Sequence, residues 1–162
     1  MPSDEKLRKY SKKIKLFNGL QPDEIGSILK QGNMLEYHKG QTIFHEGQMG
    51  SNLFILFAGE VGIYIHNDMI AKCRAGDAFG EMAVLNHKPH VGSAAALSDV
   101  RVFVLEERQL NSILEKGVAV RLLMNVIHIL SGHLEGVNAW NAALRKKMLS
   151  KDDAAYNSDF DR

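Results

Sequence analysis

The sequence predicts a mainly β protein of the α+β class, a small barrel or jelly roll with helices before and after it. Three observations lead to this prediction. Helical periodicity is confined to the two ends of the chain, short β-branched and aromatic runs fill the middle, and glycines separate those runs at intervals typical of tight turns. Many short strands joined by regular turns are typical of such β folds.

The N-terminal zone, from residue 3 to about residue 30, is predicted to be helical. Ser3 can cap a first helix, and "NGLQPDE" is expected to break it and start a second one with Pro22 in the first turn. Apolar residues recur at helical spacing in the first of these helices: Leu7, Tyr10, Ile14 and Phe17.

The middle zone, from Met34 to about Glu106, is predicted to be sheet. Its strand candidates are "QTIF", "NLFILF", "GIYIH", "MIAKC" and "VRVFVL". The stretch "IYIHNDMIAKC" predicts a hairpin, with Asn67 and Asp68 supplying the positive φ of a two-residue turn. A helical segment, "FGEMAVL", interrupts the strands and requires a separate explanation.

The C-terminal zone is predicted to be helical from Glu107, with a long helix over about residues 117–149. Apolar positions alternate in steps of three and four, which predicts a coiled-coil seam and a homodimer. An Asn at an a position favours a parallel, in-register pair. The predicted seam consists of Val120, Leu123, Ile127, Leu130, Leu134, Val137, Asn141, Leu144 and Met148.

A second apolar face of the same helix is expected to pack on its own barrel. It consists of Leu122, Met124, Val126 and Ile129. Gly132 and Gly136 weaken the helix, and they can allow a neighbouring element or a ligand to approach closely. One domain is therefore expected over residues 1–149, followed by a disordered tail over 150–162.

The composition excludes several classes of function. A formal net charge of +1 gives no case for nucleic-acid binding through bulk charge, and the single cysteine, Cys73, rules out an internal disulfide. No apolar stretch approaches the roughly 18 residues of a membrane span, so we expect a cytoplasmic protein with no membrane contact.

Motifs for metal binding or catalysis are absent from the sequence. The seven histidines lack metal-ligand spacing, since His128 and His133 point about 140° apart on a helix. The sequence has no Walker loop, no G-x-S-x-G and no H-E-x-x-H. We therefore expect no enzyme, no metal and no required cofactor, although a haem held by Cys73 or a histidine stays open.

The segment "FGEMAVLNHKPHV" has the features of an anion site. A helix N-terminus presents unpaired N–H groups, and Gly80 lets the backbone approach a phosphate. Glu81 does not suit an anion, but its carboxylate can accept hydrogen bonds from a polyol such as a ribose. Together these residues predict a ligand with one anionic end and adjacent hydroxyl groups.

These residues resemble the phosphate-binding cassette of the cyclic nucleotide-binding domain family, of the catabolite-activator type. The cassette match is "FGEMAVLNHKPHVGSAAA". Upstream, "YHKGQTIFHEGQMGSNLFILFAGEVGIYI" resembles the family's strands and turns, and "LFNGLQPDEIGSIL" resembles its entry helices. The similarity runs from about residue 14 to 135, and the cassette is its most specific part.

The resemblance implies an eight-stranded jelly roll, or double-stranded β-helix, that encloses cAMP or cGMP. Glu81 would accept the ribose 2′-OH, the backbone of Gly80, Met82 and Ala83 would meet phosphate and sugar, and Ser93 would lie near the base. In dimeric bacterial members the long helix also covers the pocket. Residues that would contact the ligand therefore include Phe79, Gly80, Glu81, Met82, Ala83, His90, Val91 and Ser93, with Ser131 and His133 as lid residues.

Many family members carry a C-terminal helix-turn-helix domain, and only about 13 residues follow Leu149 here. We therefore expect no direct DNA binding, and an output through an unidentified downstream protein. The alternative is a dimerisation or protein-interaction module whose pocket is degenerate or takes a different ligand.

The chain departs from the family pattern at the residue that supplies the positive charge for the phosphate. Where the pattern has the Arg that pairs with the cyclic phosphate, this chain has His90, and Val91 replaces a hydroxyl residue. Arginine supplies a permanent charge and a bidentate fork that histidine lacks. Three explanations stay open: the bound phosphate induces protonation of His90, Lys88 or Arg74 substitutes for the charge, or the pocket holds another ligand or none.

Overall fold

The computed structural model describes residues 2–115 and 117–158, and the side chains of residues 140, 144 and 147–158 lie outside the described part. The chain divides into two compact units, residues 1–129 and 130–162. The first unit contains both sheets, the shorter helices and the beginning of the last helix. The second unit contains the rest of that helix.

The N-terminal zone is helical, as the sequence predicts. Helix α1 spans Asp4–Lys13, a turn of 3-10 helix spans Lys15–Phe17, and helix α2 spans Pro22–Leu29. Ser3 is the N-cap residue of α1, but its side chain makes no capping hydrogen bond. Pro22 begins α2, where its fixed φ suits the first turn.

Eight antiparallel strands form the predicted jelly roll. They are β1 Asn33–Tyr37, β2 Thr42–Phe44, β3 Asn52–Ala58, β4 Glu60–Ile65, β5 Asp68–Arg74, β6 Ala78–Phe79, β7 Ser93–Ala96 and β8 Val100–Glu106. One sheet has the order β1-β8-β3-β6, and the other has the order β2-β7-β4-β5. The short helix α3, Glu81–Asn86, follows β6, as "FGEMAVL" predicts.

Strands β3 and β8 are buried on both faces, which explains why their sequences are continuous apolar runs. Phe54 and Leu56 of β3 belong to the cluster that fills the barrel, whereas Leu53 and Ile55 are buried on the opposite face. That outer face is covered from the N-terminal side, since the ring of Phe57 lies 6.5 Å from that of Phe17.

The predicted hairpin joins β4 to β5, but its turn begins one residue earlier than expected. Asp68 is already paired with Ile65, so the turn consists of His66 and Asn67. The positive φ of 55° belongs to His66, and the carboxylate of Glu46 accepts a hydrogen bond from the His66 backbone N–H at 2.8 Å. The assignment of positive φ to Asn67 and Asp68 was therefore wrong.

Helix α4 spans Glu107–Leu114, and helix α5 spans Ala119–Ser158. The helix thus continues beyond residue 149, where a disordered tail was expected, because no glycine or proline follows Gly136 to end it. Residues 159–162 of that tail lie outside the described residues.

In the first unit, three members of the second apolar face of α5 are buried as expected: Leu122, Val126 and Ile129. Met124 was assigned to the same face, but its side chain is 47% exposed. Consecutive residues of a helix are about 100° apart around its axis. Met124 is two residues from both Leu122 and Val126, so it lies away from the buried stripe that they form.

Asn125 attaches the start of α5 to the N-terminal zone. Its buried side-chain amide donates to the carbonyl oxygens of Leu16 and Asn18, both at 2.9 Å. Arg121, one turn earlier, donates to the carbonyl oxygen of Gly19 at 2.8 Å. The polar contacts therefore fix the rotation of α5 about its axis in a way that apolar packing alone does not.

Replacing Asn125 by alanine should lower the free energy of unfolding by about 1–3 kcal/mol, because two carbonyl oxygens lose their donor. Urea unfolding measures this change. Asn111→Ala on the exposed face of α4 is the matched control and should change stability by less than about 0.5 kcal/mol. Equal effects of the two substitutions would contradict the assigned role of Asn125.

Candidate ligand site

The predicted site begins where β6 ends and α3 starts. Gly80 is the N-cap residue of α3 and has φ +82°, a conformation that glycine adopts without steric cost. A Cβ at this position would also lie 2.9 Å from a ring carbon of Phe54. Phe79, expected to touch a ligand, stacks on Phe54 with ring centroids 5.2 Å apart and is part of the barrel core.

Glu81 is the first residue of α3, and its side chain is only 5% exposed. It lies near Cys73 on β5. Burial raises the pKa of the Cys73 thiol to about 12, and the negative charges of Asp77 and Glu81 add to that increase. Cys73 is therefore a protonated core residue at neutral pH.

His90 lies inside the protein, with its imidazole against an aromatic ring. Its side chain is 7% exposed and stacks on Phe44 with ring centroids 3.7 Å apart and an interplanar angle of 8°. Phe44 in turn lies 5.5 Å from Phe54 and 6.1 Å from Phe79, centroid to centroid. Burial lowers the pKa of His90 below its ordinary value, because the charged imidazolium is poorly solvated there.

Gly50 brings His90 and α3 together. A Cβ on Gly50 would overlap the Cβ of Ala83 and would lie 2.9 Å from both Cε1 and Nε2 of His90. The nitrogen-bearing edge of the imidazole therefore lies beside the first turn of α3. His90 and Ala83 thus both lie beside Gly50.

Backbone contacts hold the segment that carries His90. The His90 N–H donates to the carbonyl oxygen of Gln48 at 2.9 Å, and the His90 carbonyl accepts from the Gly47 N–H at 2.8 Å. Met49 and Pro89 form an isolated antiparallel bridge beside them. Residues 47–50 and the segment that follows α3 are therefore joined as a short two-stranded structure.

The other predicted contact residues are placed less favourably. Met82 is 49% exposed and Val91 is 67% exposed, so neither side chain is enclosed by the barrel. Ser93 begins β7, and its hydroxyl oxygen accepts a hydrogen bond from the Glu46 N–H at 2.9 Å. Ser93 therefore orders the turn after β2, and its hydroxyl proton remains chemically able to donate.

The two alternative cations differ in their surroundings. Arg74 lies on β5 beside Glu60, with 3.7 Å between Nε and Oε1, so its charge is already partly compensated. Lys88 follows α3 directly, is exposed, and donates its backbone N–H to the carbonyl oxygen of Ala83 at 3.2 Å. Of the two, Lys88 is the one adjacent to the candidate site in the chain.

Most of the predicted seam is exposed. Within the first unit, the seam residues Val120, Leu123 and Ile127 are 74%, 41% and 51% exposed. Within the second unit, Leu134 and Val137 are 62% and 45% exposed, Leu130 is half-buried, and Asn141, Ser131 and His133 are exposed. The side chains of Leu144 and Met148 lie outside the described residues.

The family model for the cyclic nucleotide-binding domain matches residues 34–116, about half of the chain. The chain belongs to the cyclic nucleotide-binding domain family. The match covers all eight strands except the first residue of β1, and it covers helices α3 and α4. The resemblance inferred from the cassette is thereby confirmed.

Relatives of this cyclic nucleotide-binding domain include regulatory proteins. It is 30% identical over 96 residues to a cAMP-dependent protein kinase regulatory subunit of Hypocrea atroviridis, covering 59% of this chain and 21% of that protein. It is 28% identical over 102 residues to a CRP-like cAMP-activated global transcriptional regulator of Mycobacterium tuberculosis, covering 60% and 46%. The chain spans less than half the length of both.

A solved structure shows the same fold. A cyclic nucleotide-binding domain from Methylobacillus flagellatus superposes with a TM-score of 0.74 at 22% identity, covering 88% of this chain and 85% of that one.

The described residues contain no group of three His, Cys, Asp or Glu side chains placed to bind a metal ion. Among the same residues, no helix is both long and apolar enough to cross a membrane.

Two residues beside the site, Phe44 and Gly50, were not predicted from the sequence. Phe44 was assigned only to the strand "QTIF", and Gly50 only to a turn. Gly50 has no positive φ, so close packing against Ala83 and His90 is what requires a glycine there. Hydrophobicity patterns carry no signal for such a contact, because its partners are about 30 to 40 residues away in sequence.

The lowered pKa of His90 predicts a pH dependence of stability. The unfolded chain binds a proton near pH 6.5, the ordinary value, whereas folded ligand-free protein binds it only at lower pH. The contribution of neutral His90 is therefore fully present above about pH 6.5. This contribution is lost as the pH falls from about 6.5 through the pKa of His90 in the folded protein, and the loss is at most about 1.4 kcal/mol for each unit of pH.

Urea unfolding at several pH values, with wild type and His90→Gln compared, measures this effect. As the pH falls below about 6.5, the free energy of unfolding should decrease more for wild type than for His90→Gln. His45→Gln, at an exposed position after β2, should follow the pH trend of wild type. Parallel curves for wild type and His90→Gln would show that His90 does not titrate in this way.

Proposed function

We propose that this chain is a regulatory module that binds a cyclic nucleotide, cAMP or cGMP, at the start of α3. The observation that carries the proposal is the buried carboxylate of Glu81, held directly after the left-handed Gly80. A buried carboxylate is suited to accept hydrogen bonds from ribose hydroxyl groups. The two relatives, a cAMP-dependent protein kinase regulatory subunit and a cAMP-activated transcriptional regulator, support the same ligand class.

Each residue of the site has a proposed role. The backbone N–H groups of Gly80, Met82 and Ala83 meet the cyclic phosphate and the sugar, and Glu81 accepts the ribose 2′-OH. Ser93 donates its hydroxyl proton to the base. These roles use the N–H groups that a first helical turn leaves without partners inside the helix.

Binding is proposed to be weak because His90 replaces an arginine. A hydrogen bond to a charged group contributes about 1.5–3 kcal/mol, which corresponds to a factor of roughly ten to a hundred and fifty in affinity. A neutral imidazole can donate one hydrogen bond but supplies no charge. Lys88, which follows α3, can compensate part of this loss from the solvent side.

The output is proposed to pass through α5. The apolar seam residues exposed on a single chain suit a second copy of the same helix. Asn125 and Arg121 connect the start of α5 to the N-terminal zone. A ligand that moves the cassette would thus change the surface that α5 presents to a partner protein.

The alternative is a dimerisation or interaction module whose pocket is degenerate or takes another ligand. The stacked, neutral His90 favours it, because Phe44 already covers one face of the imidazole without any ligand. The two functions differ in whether a cyclic nucleotide stabilises the protein through Glu81.

Thermal unfolding with millimolar cAMP or cGMP tests the ligand. At a concentration of about a hundred times the dissociation constant, binding should stabilise the protein by about 2.7 kcal/mol, because only the folded state binds. Glu81→Gln should abolish most of this increase, whereas Glu36→Gln, at an exposed position of β1, should retain it. If neither nucleotide stabilised the protein at any pH, the result would contradict the proposed ligand and support the alternative function.

Light scattering coupled to size-exclusion chromatography tests the seam. Wild type should have the mass of two chains, and Ile127→Asp should have the mass of one, because a buried, unpaired carboxylate is costly. His128→Asp, at the adjacent exposed position, is the matched control and should remain a dimer. A monomeric wild type at high concentration would contradict the proposed dimer.

A further inference from the structure

The imidazole of His90 lies where it can pair with an anion bound at the first turn of α3. One ring face is covered by Phe44, and the Cε1–Nε2 edge lies beside Gly50 and the first turn of α3. The backbone around His90 is hydrogen-bonded to Gly47 and Gln48. These contacts hold the backbone that carries the ring beside the first turn of α3.

We infer that capture of the anionic ligand is coupled to the uptake of one proton from solvent by His90, so that affinity rises as the pH falls. This inference rests on the proposed function, because the anion is the cyclic phosphate of the bound nucleotide. The neutral ring becomes an imidazolium that pairs with the phosphate monoanion. The bound complex thus contains one proton more than the free protein and free ligand together.

The environment of His90 within the protein favours the neutral ring. The side chain is buried, and the residue stacked on it is an uncharged phenylalanine. A nearby anion reverses this preference, because opposite charges a few ångströms apart in a poorly solvated site attract strongly. The face of an aromatic ring also accommodates a cation, so Phe44 does not oppose protonation.

Other titratable groups on the surrounding elements affect the size of the coupling. Helix α3 contributes the carboxyl group of Glu81, which is buried. The turn after β2 contributes His45 and Glu46, both exposed, and the Glu46 carboxylate accepts from the His66 backbone N–H. The segment after α3 contributes Lys88, an exposed positive charge that opposes protonation only weakly through solvent.

Isothermal titration of the protein with cAMP near pH 7, in two buffers that differ in ionisation enthalpy, counts the protons directly. Between about half a proton and one proton should be taken up per bound nucleotide. The dissociation constant should also fall by about three- to tenfold for each unit of pH near pH 7, because its pH dependence equals the number of protons taken up.

Substitutions identify the group that takes up the proton. His90→Arg should bind more tightly than wild type near pH 8, with no proton uptake, because its charge is permanent. His90→Gln should bind without proton uptake and should not gain affinity as the pH falls. His87→Gln is the matched control, since His87 pairs with Glu107 at 3.3 Å between Nδ1 and Oε1, and it should keep the uptake of wild type.

The outcomes separate this inference from the function on which it rests. Binding of cAMP without proton uptake, or uptake that persists in His90→Gln, would overturn the inference and leave the proposed function intact. Failure of wild type and His90→Arg to bind either nucleotide at any pH would overturn the proposed function, and the inference with it.

Discussion

The burial of two titratable side chains in an apolar barrel is the constraint on which the cassette depends. Glu81 and His90 are 5% and 7% exposed, and they lie among residues that otherwise fill the core. A buried polar group is tolerated only where its surroundings satisfy it, and burying a charge without a partner costs more. The left-handed Gly80 and the close-packed Gly50 position the backbone so that both side chains can be enclosed.

The parts of the fold that follow from local patterns were predictable. The long apolar runs of β3 and β8 predicted strands without revealing that both of their faces are buried, and Pro22 marked the first turn of α2. The cassette was predictable because its chemistry is contiguous: Gly80, Glu81 and His90 lie within eleven residues. The resemblance of the chain to the family was therefore evident from the sequence alone.

The contacts that join distant segments were not predictable in the same way. Asn125 donates to carbonyl oxygens more than a hundred residues earlier, and Phe44 stacks on a histidine that lies 46 positions later. Hydrophobic periodicity predicts which face of an element is buried, but not which side chain meets it. The turn at His66 was misplaced by one residue for a related reason, since strand pairing and the Glu46 contact fix it.

A histidine at the cassette has a physical advantage over an arginine when the site is empty. An arginine at the position of His90 would retain its charge against Phe44 without a ligand, and an unpaired buried charge destabilises the fold by several kcal/mol or forces the segment open. A histidine avoids this cost by remaining neutral until an anion arrives. Under the proposed function, the substitution lowers affinity but allows residue 90 to be buried without a charge, and protonation of this one residue accompanies ligand binding.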